Sequence, residues 1–288
     1  MNEWRNWSGI ESSRPTRVFA PTSTDDVVAA VQDAAERGGT VKMVGTGHSF
    51  TAISAPEDTM LRPEGLRGIE SVNHDAMTIT AGAGTPLHLL NDAAARQGLS
   101  LHNMGDIAEQ TLAGAVSTGT HGTGGVKASV SAQLAGLQMV TGDGSVIEAS
   151  PDENPEVFAA ARIGLGALGI LTRLTFEMEP LGVLEAHERP MSWEAALADY
   201  DEMVAAGHHT DMYWFPHTDH VHVKTNTRVD LDPDEAERLS AFRSWLDDDF
   251  MSNTAFGALN AVGNRAPRLI APFNQMAGRL LSERRYSD

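Results

Sequence analysis

The segment Val44-Gly45-Thr46-Gly47-His48-Ser49-Phe50 decides how the first half of the chain is interpreted, because it follows a predicted strand over Val41 to Val44. Two glycines one residue apart let the backbone turn tightly and point successive N–H groups at one place, a geometry suited to a pyrophosphate. The segment lacks the Gly-Lys-Ser/Thr of a Walker loop, and Phe50 stands where the fingerprint G-x-G-x-x-G needs its third glycine. From these residues alone, an ordinary glycine-rich turn and an anion-binding loop both remain open.

Glycine is concentrated around this segment: 18 of the 27 glycines lie between Gly38 and Gly144. The stretch Ser117-Thr118-Gly119-Thr120-His121-Gly122-Thr123-Gly124-Gly125 alternates hydroxyl side chains with glycine, which favours contact with a polar cofactor chain over a flexible surface loop. A third stretch, Gly164-Leu165-Gly166-Ala167-Leu168-Gly169-Ile170-Leu171, is apolar and enters a predicted strand. Close helix–sheet packing and a cofactor contact are both open for it.

The pattern around these segments alternates between helix and strand without a regular βαβ repeat, which predicts an α+β architecture. A domain boundary near Glu179-Pro180 gives domains 1–180 and 181–288. The second half is predicted to hold two or three strands and one helix over 183–228, and mostly helix from Asp232 to Leu281. The predicted elements of the first half are an edge strand at 18–21, a helix that starts after Ser23 or Thr24 and ends at Gly38, two strands over 66–83, a helix with Thr85 as its cap, a hairpin over 134–149, a helix at 154–161 and a strand at 169–178.

Charge and composition exclude several classes of protein. The 21 Lys and Arg against 39 Asp and Glu give a formal net charge of −18, so nucleic acid and anionic lipid are poor partners. The chain has no Cys, which excludes disulfides, thiolate metal sites and cysteine nucleophiles. No apolar run is long enough for a membrane span, and the polar N-terminal segment lacks a secretory pattern. We expect a cytoplasmic location.

Five motifs in order resemble the vanillyl-alcohol-oxidase-type (PCMH-type) FAD family, in particular the branch of aldonolactone oxidases and alditol oxidases. They are Trp4-Arg5-Asn6-Trp7, the GTGHSF segment, Asn103-Met104-Gly105-Asp106, the STGTHGTG segment and the LGALGIL segment. The stretch Tyr213-Trp214-Phe215-Pro216-His217-Thr218-Asp219 resembles the start of the aldonolactone-oxidase-type second domain. The resemblance implies a two-subdomain FAD-binding domain, followed by the beginning of an α+β substrate domain.

The resemblance also implies a set of FAD-binding residues. His48 matches a histidine that is often bonded covalently to the flavin in this branch, and because Cys is absent, a second covalent bond through cysteine is impossible. Ile170 would contact the adenosine end through its backbone. The full predicted cofactor-binding set is Gly45, Thr46, Gly47, His48, Ser49, Phe50, Asp106, Thr111, Gly114, Ser117, Thr118, Gly119, Thr120, His121 and Ile170.

Catalytic residues are not identified from the sequence. Relatives in the resembled family carry an acidic residue and an arginine on one strand, and a C-terminal His-Trp-Gly-Lys segment, and this chain shows neither. Glu185 and Arg189 have a similar spacing but are interpreted as surface charges of a strand. We therefore expect a C-terminally truncated chain.

Six of the eleven histidines lie between His187 and His222, and His220 and His222 share one face of a predicted strand. A metal site is geometrically possible there, but no HExxH-type helix accompanies these residues, so we predict no metal and favour a substrate-facing sheet.

Two functional hypotheses remain. The first is an FAD-dependent oxidoreductase that acts on a CH–OH group of an aldonolactone or an alditol, with oxygen or another electron acceptor. The second is a flavin-binding fragment that needs a complementing C-terminal polypeptide. The expected partners are thus a small polyol or lactone and FAD.

Overall fold

Strands and helices are mixed irregularly along the part of the chain that the computed structural model describes, residues 3–125, 129–246, 250 and 254–288. The strands are β1 (Trp4–Arg5), β2 (Ser12–Ser13), β3 (Arg17–Phe19), β4 (Val41–Met43), β5 (Thr59–Leu61), β6 (Ile69–Asn73), β7 (Thr78–Gly82), β8 (Leu99–Ser100), β9 (Leu134–Val140), β10 (Val146–Ala149), β11 (Ile170–Glu177), β12 (Glu179–Pro180), β13 (Val183–Ser192), β14 (His209–Trp214), β15 (His220–Val229) and β16 (Arg284–Ser287). The helices are α1 (Thr24–Glu36), α2 (Leu87–Ala95), α3 (Leu112–Ser117), α4 (Pro155–Ala161), α5 (Trp193–Ala198), α6 (Tyr200–Ala206), α7 (Ala241–Ser244), α8 (Phe256–Arg265) and α9 (Ile270–Leu280). The predicted α+β class is confirmed.

The chain folds into two units. The first consists of Met1–Gly122 and Val126–Leu181, and the second of Thr123–Gly125 and Gly182–Asp288. None of the helices in the described residues is long and apolar enough to cross a membrane.

The first unit contains a five-stranded antiparallel sheet in the order β10-β9-β11-β7-β6. One face of it packs on α2 and α3, where Leu87, Leu90, Leu112 and Val116 are fully buried among the apolar side chains of the sheet. Because complete burial of one such side chain stabilises a fold by about 1.5–3 kcal/mol, these helices are fixed firmly on the sheet.

A smaller parallel sheet, in the order β3-β5-β4, lies in the same unit. Helix α1 connects β3 to β4 and begins with a capping box, in which the Ser23 side chain accepts from the backbone N–H of Asp26 and the Asp26 side chain accepts from that of Ser23. The helix buries Val27 and Val31 against Leu61 of β5 and against Val140 and Ile170 of the large sheet. This packing fixes the end of β4 near the start of β11.

The second unit contains a four-stranded antiparallel sheet in the order β14-β15-β13-β16. Val221 and Val223 of β15 are buried with Ala196 of α5 and Met203 of α6, so these helices cover one face of the sheet.

Two details predicted from the sequence were wrong. Residue 86, not Thr85, is the N-cap of α2, because the Thr85 hydroxyl donates to the carbonyl of Gly82 at 2.7 Å and accepts from the N–H of Gly68 at 2.9 Å. The single helix predicted within 183–228 is two helices, α5 and α6, which meet at Asp199. The acidic cluster Asp247-Asp248-Asp249 lies outside the described residues.

Candidate functional site

An open cleft in the first unit gathers three sequence segments that are far apart along the chain. The segments are the end of β4 with the following loop, the start of α3 and the residues that lead into β11. The cleft encloses about 860 Å³ of space, open solvent included.

The loop after β4 is held from outside by the N-terminal strand region. The backbone N–H of Trp7 donates to the carbonyl of Gly47 at 2.8 Å, and the side-chain amide of Asn6 donates to the carbonyl of Ser49 at 2.9 Å. Gly47 has φ +72°, a conformation that strains any residue with a Cβ atom. The Trp4–Trp7 motif therefore shapes the loop that lines the cleft.

Gly45 lets this loop approach the start of α3. A Cβ atom at this position would overlap the hydroxyl of Thr111. That hydroxyl is already used, because it caps α3 by accepting from the backbone N–H of Gly114 at 3.4 Å. The spacing of the two walls of the cleft thus depends on a glycine at residue 45.

Three side chains that line the cleft have buried polar atoms without a hydrogen-bond partner among the described residues. These atoms are Nδ1 of His48, Oγ of Ser54 and Oε1 of Gln110. The His48 ring stacks on Trp7 with centroids 5.5 Å apart, and Phe50 meets the edge of Trp7 at 6.3 Å. Since buried polar atoms are nearly always paired, a ligand that satisfies them is indicated.

The structure brings ten of the fifteen predicted cofactor-binding residues to this cleft, and their role as FAD contacts stays a prediction. The ten are Gly45, Thr46, Gly47, His48, Ser49, Thr111, Gly114, Ser117, Thr118 and Ile170.

The other five predicted residues do not line the cleft, for local reasons. Phe50 is 63% exposed and packs on Trp7, and Asp106 is exposed. Gly119, at φ +66°, ends α3 as a left-handed residue, and the backbone of Thr120 is paired with Ala115 and Val130. His121 is exposed, and its Nδ1 lies 3.1 Å from the carbonyl of Gly122.

Several residues that line the cleft were missed by sequence reasoning. Lys42, whose ammonium donates to the carbonyl of Ile53 at 3.0 Å, is part of a strand and carried no motif. Gln110 directly precedes Thr111, the N-cap of α3, and its position next to a predicted cofactor-binding residue could have identified it. Leu165, Gly166 and Gly169 belong to the third glycine-rich stretch, for which a cofactor contact was one of the two open interpretations.

The histidine-rich stretch of the second unit forms pairs with acids. His222 Nε2 lies 3.1 Å from Glu188 Oε2, and His220 Nε2 lies 3.5 Å from Asp219 Oδ1. Glu185 is paired with Arg285 at 3.5 Å on the surface, and Arg189 Nη2 lies 3.6 Å from the sulfur of Met203. Glu188, which the sequence did not single out, contacts His222, Arg284 and Tyr286.

FAD fits the chemistry of the cleft. Its pyrophosphate requires backbone that can approach closely, which Gly45 and Gly47 allow, and the hydroxyls of Thr46, Ser49 and Ser117 offer hydrogen bonds to a phosphate chain. The unpaired Nδ1 of His48 and the apolar side chains near the start of β11 suit a large, partly apolar ring.

Comparisons with known proteins agree with this fit. The chain matches the family described as FAD binding domain over residues 15–150 and the family described as D-arabinono-1,4-lactone oxidase over residues 174–288. The structure is similar to cholesterol oxidase from B. sterolicum, with a TM-score of 0.78 and 19% identity over 96% of this chain and 57% of that chain. That likeness shows the fold alone.

The curated relatives are longer than this chain. It is 30% identical to an L-gulono-1,4-lactone dehydrogenase of Mycobacterium tuberculosis over 99% of this chain and 65% of the relative. It is 34% identical to a D-arabinono-1,4-lactone oxidase of Eremothecium gossypii over 74% of this chain and 41% of the relative. It is 32% identical to an L-gulonolactone oxidase of Scyliorhinus torazame over 77% of this chain and 50% of the relative.

The cleft and the family match together indicate an FAD-binding domain in the first unit, and the structural likeness shows its fold. In sequence, the chain is similar to the FAD binding domain family and, after it, to the D-arabinono-1,4-lactone oxidase family.

Proposed function

We propose that this protein is an FAD-dependent oxidoreductase that removes a hydride from a CH–OH group of a sugar-derived lactone, such as an arabinono- or gulono-1,4-lactone. The observation that carries the proposal is the glycine- and hydroxyl-lined cleft with the unpaired His48 Nδ1. Three relatives whose names specify lactones of this class support the choice of substrate. Oxygen or another acceptor would take up the electrons.

In this reaction, the residues of the chain bind and orient the cofactor. FAD, when bound, supplies the hydride acceptor, and its chemistry is that of the cofactor itself. The loop Gly45–Ser49 would hold the pyrophosphate, and the hydroxyls of Thr111 and Ser117 would donate to the ribityl–phosphate chain, which Thr118 would also line. The backbone of Ile170 would contact the adenosine end.

A covalent bond between His48 and the flavin is part of the proposal. It is supported by the position of His48 on the cleft and by its Nδ1, which has no hydrogen-bond partner among the described residues. His48→Ala should bind flavin that is released on acid precipitation, whereas the wild type should keep it. His74→Ala is the matched control, because His74 is exposed and away from the cleft. Flavin that stays on the chain in His48→Ala would exclude this attachment.

Substrate reduction of the flavin tests the activity. Anaerobic addition of D-arabinono-1,4-lactone to the yellow protein should bleach the visible flavin absorbance. Bleaching by a sugar alcohol instead would favour the alditol oxidase alternative. Yellow protein that no substrate bleaches would favour a flavin-binding fragment that needs a complementing chain, and colourless protein would refute the proposal. The cytoplasmic location predicted from the sequence is part of the proposal and can be tested by cell fractionation.

A further inference from the structure

The cleft of the first unit differs in charge from the chain as a whole. Acidic residues outnumber basic ones 39 to 21, for a net charge of −18. None of the described residues that line the cleft carries a carboxylate, and Lys42 is the one among them with a permanent positive charge. Because a strongly acidic chain repels anions, a site without carboxylates is a local exception that favours a negatively charged ligand.

Lys42 is held beside the cleft by its strand and by the segment that follows the glycine loop. Val41 and Met43, its neighbours on β4, pack with the core of α1, so Lys42 lies on the other face of the strand. Its Nζ donates to the carbonyl of Ile53 at 3.0 Å. That bond uses one of three ammonium protons, and no carboxylate pairs with Lys42 among the described residues. The ammonium therefore keeps two donors and an uncompensated charge.

Ser54 supplies a second polar group on the same wall of the cleft. It ends the single-turn helix Ala52–Ser54 and directly follows Ile53, the residue that holds Lys42. Its Oγ is buried and has no hydrogen-bond partner among the described residues. Since buried polar atoms are nearly always paired, this hydroxyl indicates a ligand. A hydroxyl donates readily to a phosphate oxygen, so a phosphate beside Lys42 would satisfy it.

The polar atoms that suit a flavin ring belong to other residues of the cleft. His48 stacks on Trp7 and leaves its Nδ1 unpaired, and Gln110, directly before the N-cap of α3, leaves its Oε1 unpaired among the described residues. An imidazole and an amide suit the ring system, whereas an ammonium and a hydroxyl suit phosphate oxygens. Recognition of the phosphates and recognition of the ring therefore depend on separate side chains.

We propose that Lys42 and Ser54 form an anion-binding wall that recognises a pyrophosphate independently of a flavin ring, so that the flavin-free chain binds ADP. Lys42 supplies the charge and two N–H donors, Ser54 supplies a hydroxyl, and the loop Gly45–Ser49 supplies backbone N–H groups. The apolar side chains of Leu165 and Ile170 offer a packing surface for the adenine ring. ADP then competes with FAD for the empty cleft.

Calorimetric titration of the flavin-free chain, obtained by riboflavin-limited expression, tests the wall with ADP, FAD and riboflavin as separate probes. The wild type should bind ADP, and ADP should raise the apparent Kd of FAD. Lys42→Met should weaken binding of ADP and of FAD about tenfold or more, because it removes a hydrogen bond from a charged group. Binding of riboflavin, which has no phosphate, should be unchanged in this variant.

Ser54→Ala separates a binding role from a structural one. It should weaken binding of ADP and FAD without lowering the melting temperature of the flavin-free chain, because it removes a buried hydroxyl that has no partner there. A serine that served only the fold would give the reverse result. Arg67→Met is the charge-matched control and should bind ADP as the wild type does, because Arg67 is exposed and is not among the residues that line the cleft.

The outcomes separate this inference, which rests on the fit of FAD to the cleft, from the proposed function. The wall is overturned if folded wild type does not bind ADP at millimolar concentration, if Lys42→Met and Ser54→Ala bind ADP as the wild type does, or if riboflavin binding falls in step with ADP binding. If Lys42→Met does not fold, Ser54→Ala decides alone. FAD binding without ADP binding would overturn this inference only, and ADP binding without FAD binding would support the wall and count against the proposed function.

Discussion

Replacement of Glu188 by Gln should make the stability of the second unit less dependent on pH. Gln keeps the shape of the side chain but removes the charge that Arg284, His222 and Tyr286 surround. The pKa of Glu188 falls from the ordinary 4.5 to about 2 in the folded protein. The folded state therefore holds the ionised form more strongly than the unfolded chain does, and this stabilisation is present above pH 4.5 and is lost as the pH falls towards 2.

The size of the effect follows from the shift. At about 1.36 kcal/mol per pKa unit, the ionised carboxylate contributes about 3 kcal/mol at neutral pH and about 1.4 kcal/mol at pH 3. The difference in free energy of unfolding between the wild type and Glu188→Gln should therefore shrink by about half between these two conditions. Titrating groups that do not contact Glu188 contribute equally to both proteins and cancel in the difference.

Urea unfolding followed by tryptophan fluorescence measures this difference, because Trp193 and Trp214 both lie in the second unit. Glu185→Gln is the matched control: Glu185 is on the same strand, but its pair with Arg285 is largely exposed, and such surface pairs contribute at most about 1 kcal/mol. The reasoning is refuted if Glu188→Gln lowers the free energy of unfolding less than Glu185→Gln does at neutral pH. It is also refuted if Glu188→Gln lowers that free energy by the same amount at pH 3 as at neutral pH.

Three further changes test the first unit. Gly45→Ala should weaken FAD binding at least tenfold in a titration of the apoprotein, because the new methyl group would overlap the Thr111 hydroxyl; unchanged affinity would show that the loop does not need this approach. Trp7→Leu removes the ring that stacks on His48 and should slow the appearance of acid-stable flavin on the chain, whereas wild-type rates would mean that the stack does not position the imidazole. Ser23→Ala should lower the stability of the first unit by about 1 kcal/mol in urea, as loss of an N-cap does, and an unchanged midpoint would contradict the capping box.

Local signals in the sequence predicted a large part of the first unit. The hairpin β9–β10, the cap of α1 at Ser23 and the strand before Gly45 all depend on residues within a few positions of one another. Propensity and turn chemistry act over the same short range, so these elements can be predicted without knowledge of the fold. Thr85 was misassigned because its hydroxyl bonds to Gly68 and Gly82, and the contact with Gly68 depends on how β6 and β7 pair.

The cleft was predicted only in part for the same physical reason. Gly45 and Ser117 belong to motifs that are visible in the composition, whereas Lys42 lines the cleft because α1 packs the two sheets together. A glycine in a glycine-rich segment can also serve a purpose other than ligand contact. Gly119, for which a cofactor contact was predicted, ends a helix instead. Composition indicates which segments can approach a ligand, but the packing of the sheets selects the residues that do.

The acid–arginine pair of the second unit shows where sequence spacing fails. A search along one strand found Glu185 and Arg189, but in the structure Glu185 pairs with Arg285 and Arg189 contacts Met203. The close pair is Glu188 and Arg284, which are 96 residues apart and meet because β16 pairs with β13. A spacing rule can detect only partners within one element, whereas a sheet joins residues by register. Charged clusters that act across strands therefore have to be sought by pairing each strand with all its neighbours, and on that criterion Glu188 is the residue of this sheet whose replacement should matter most.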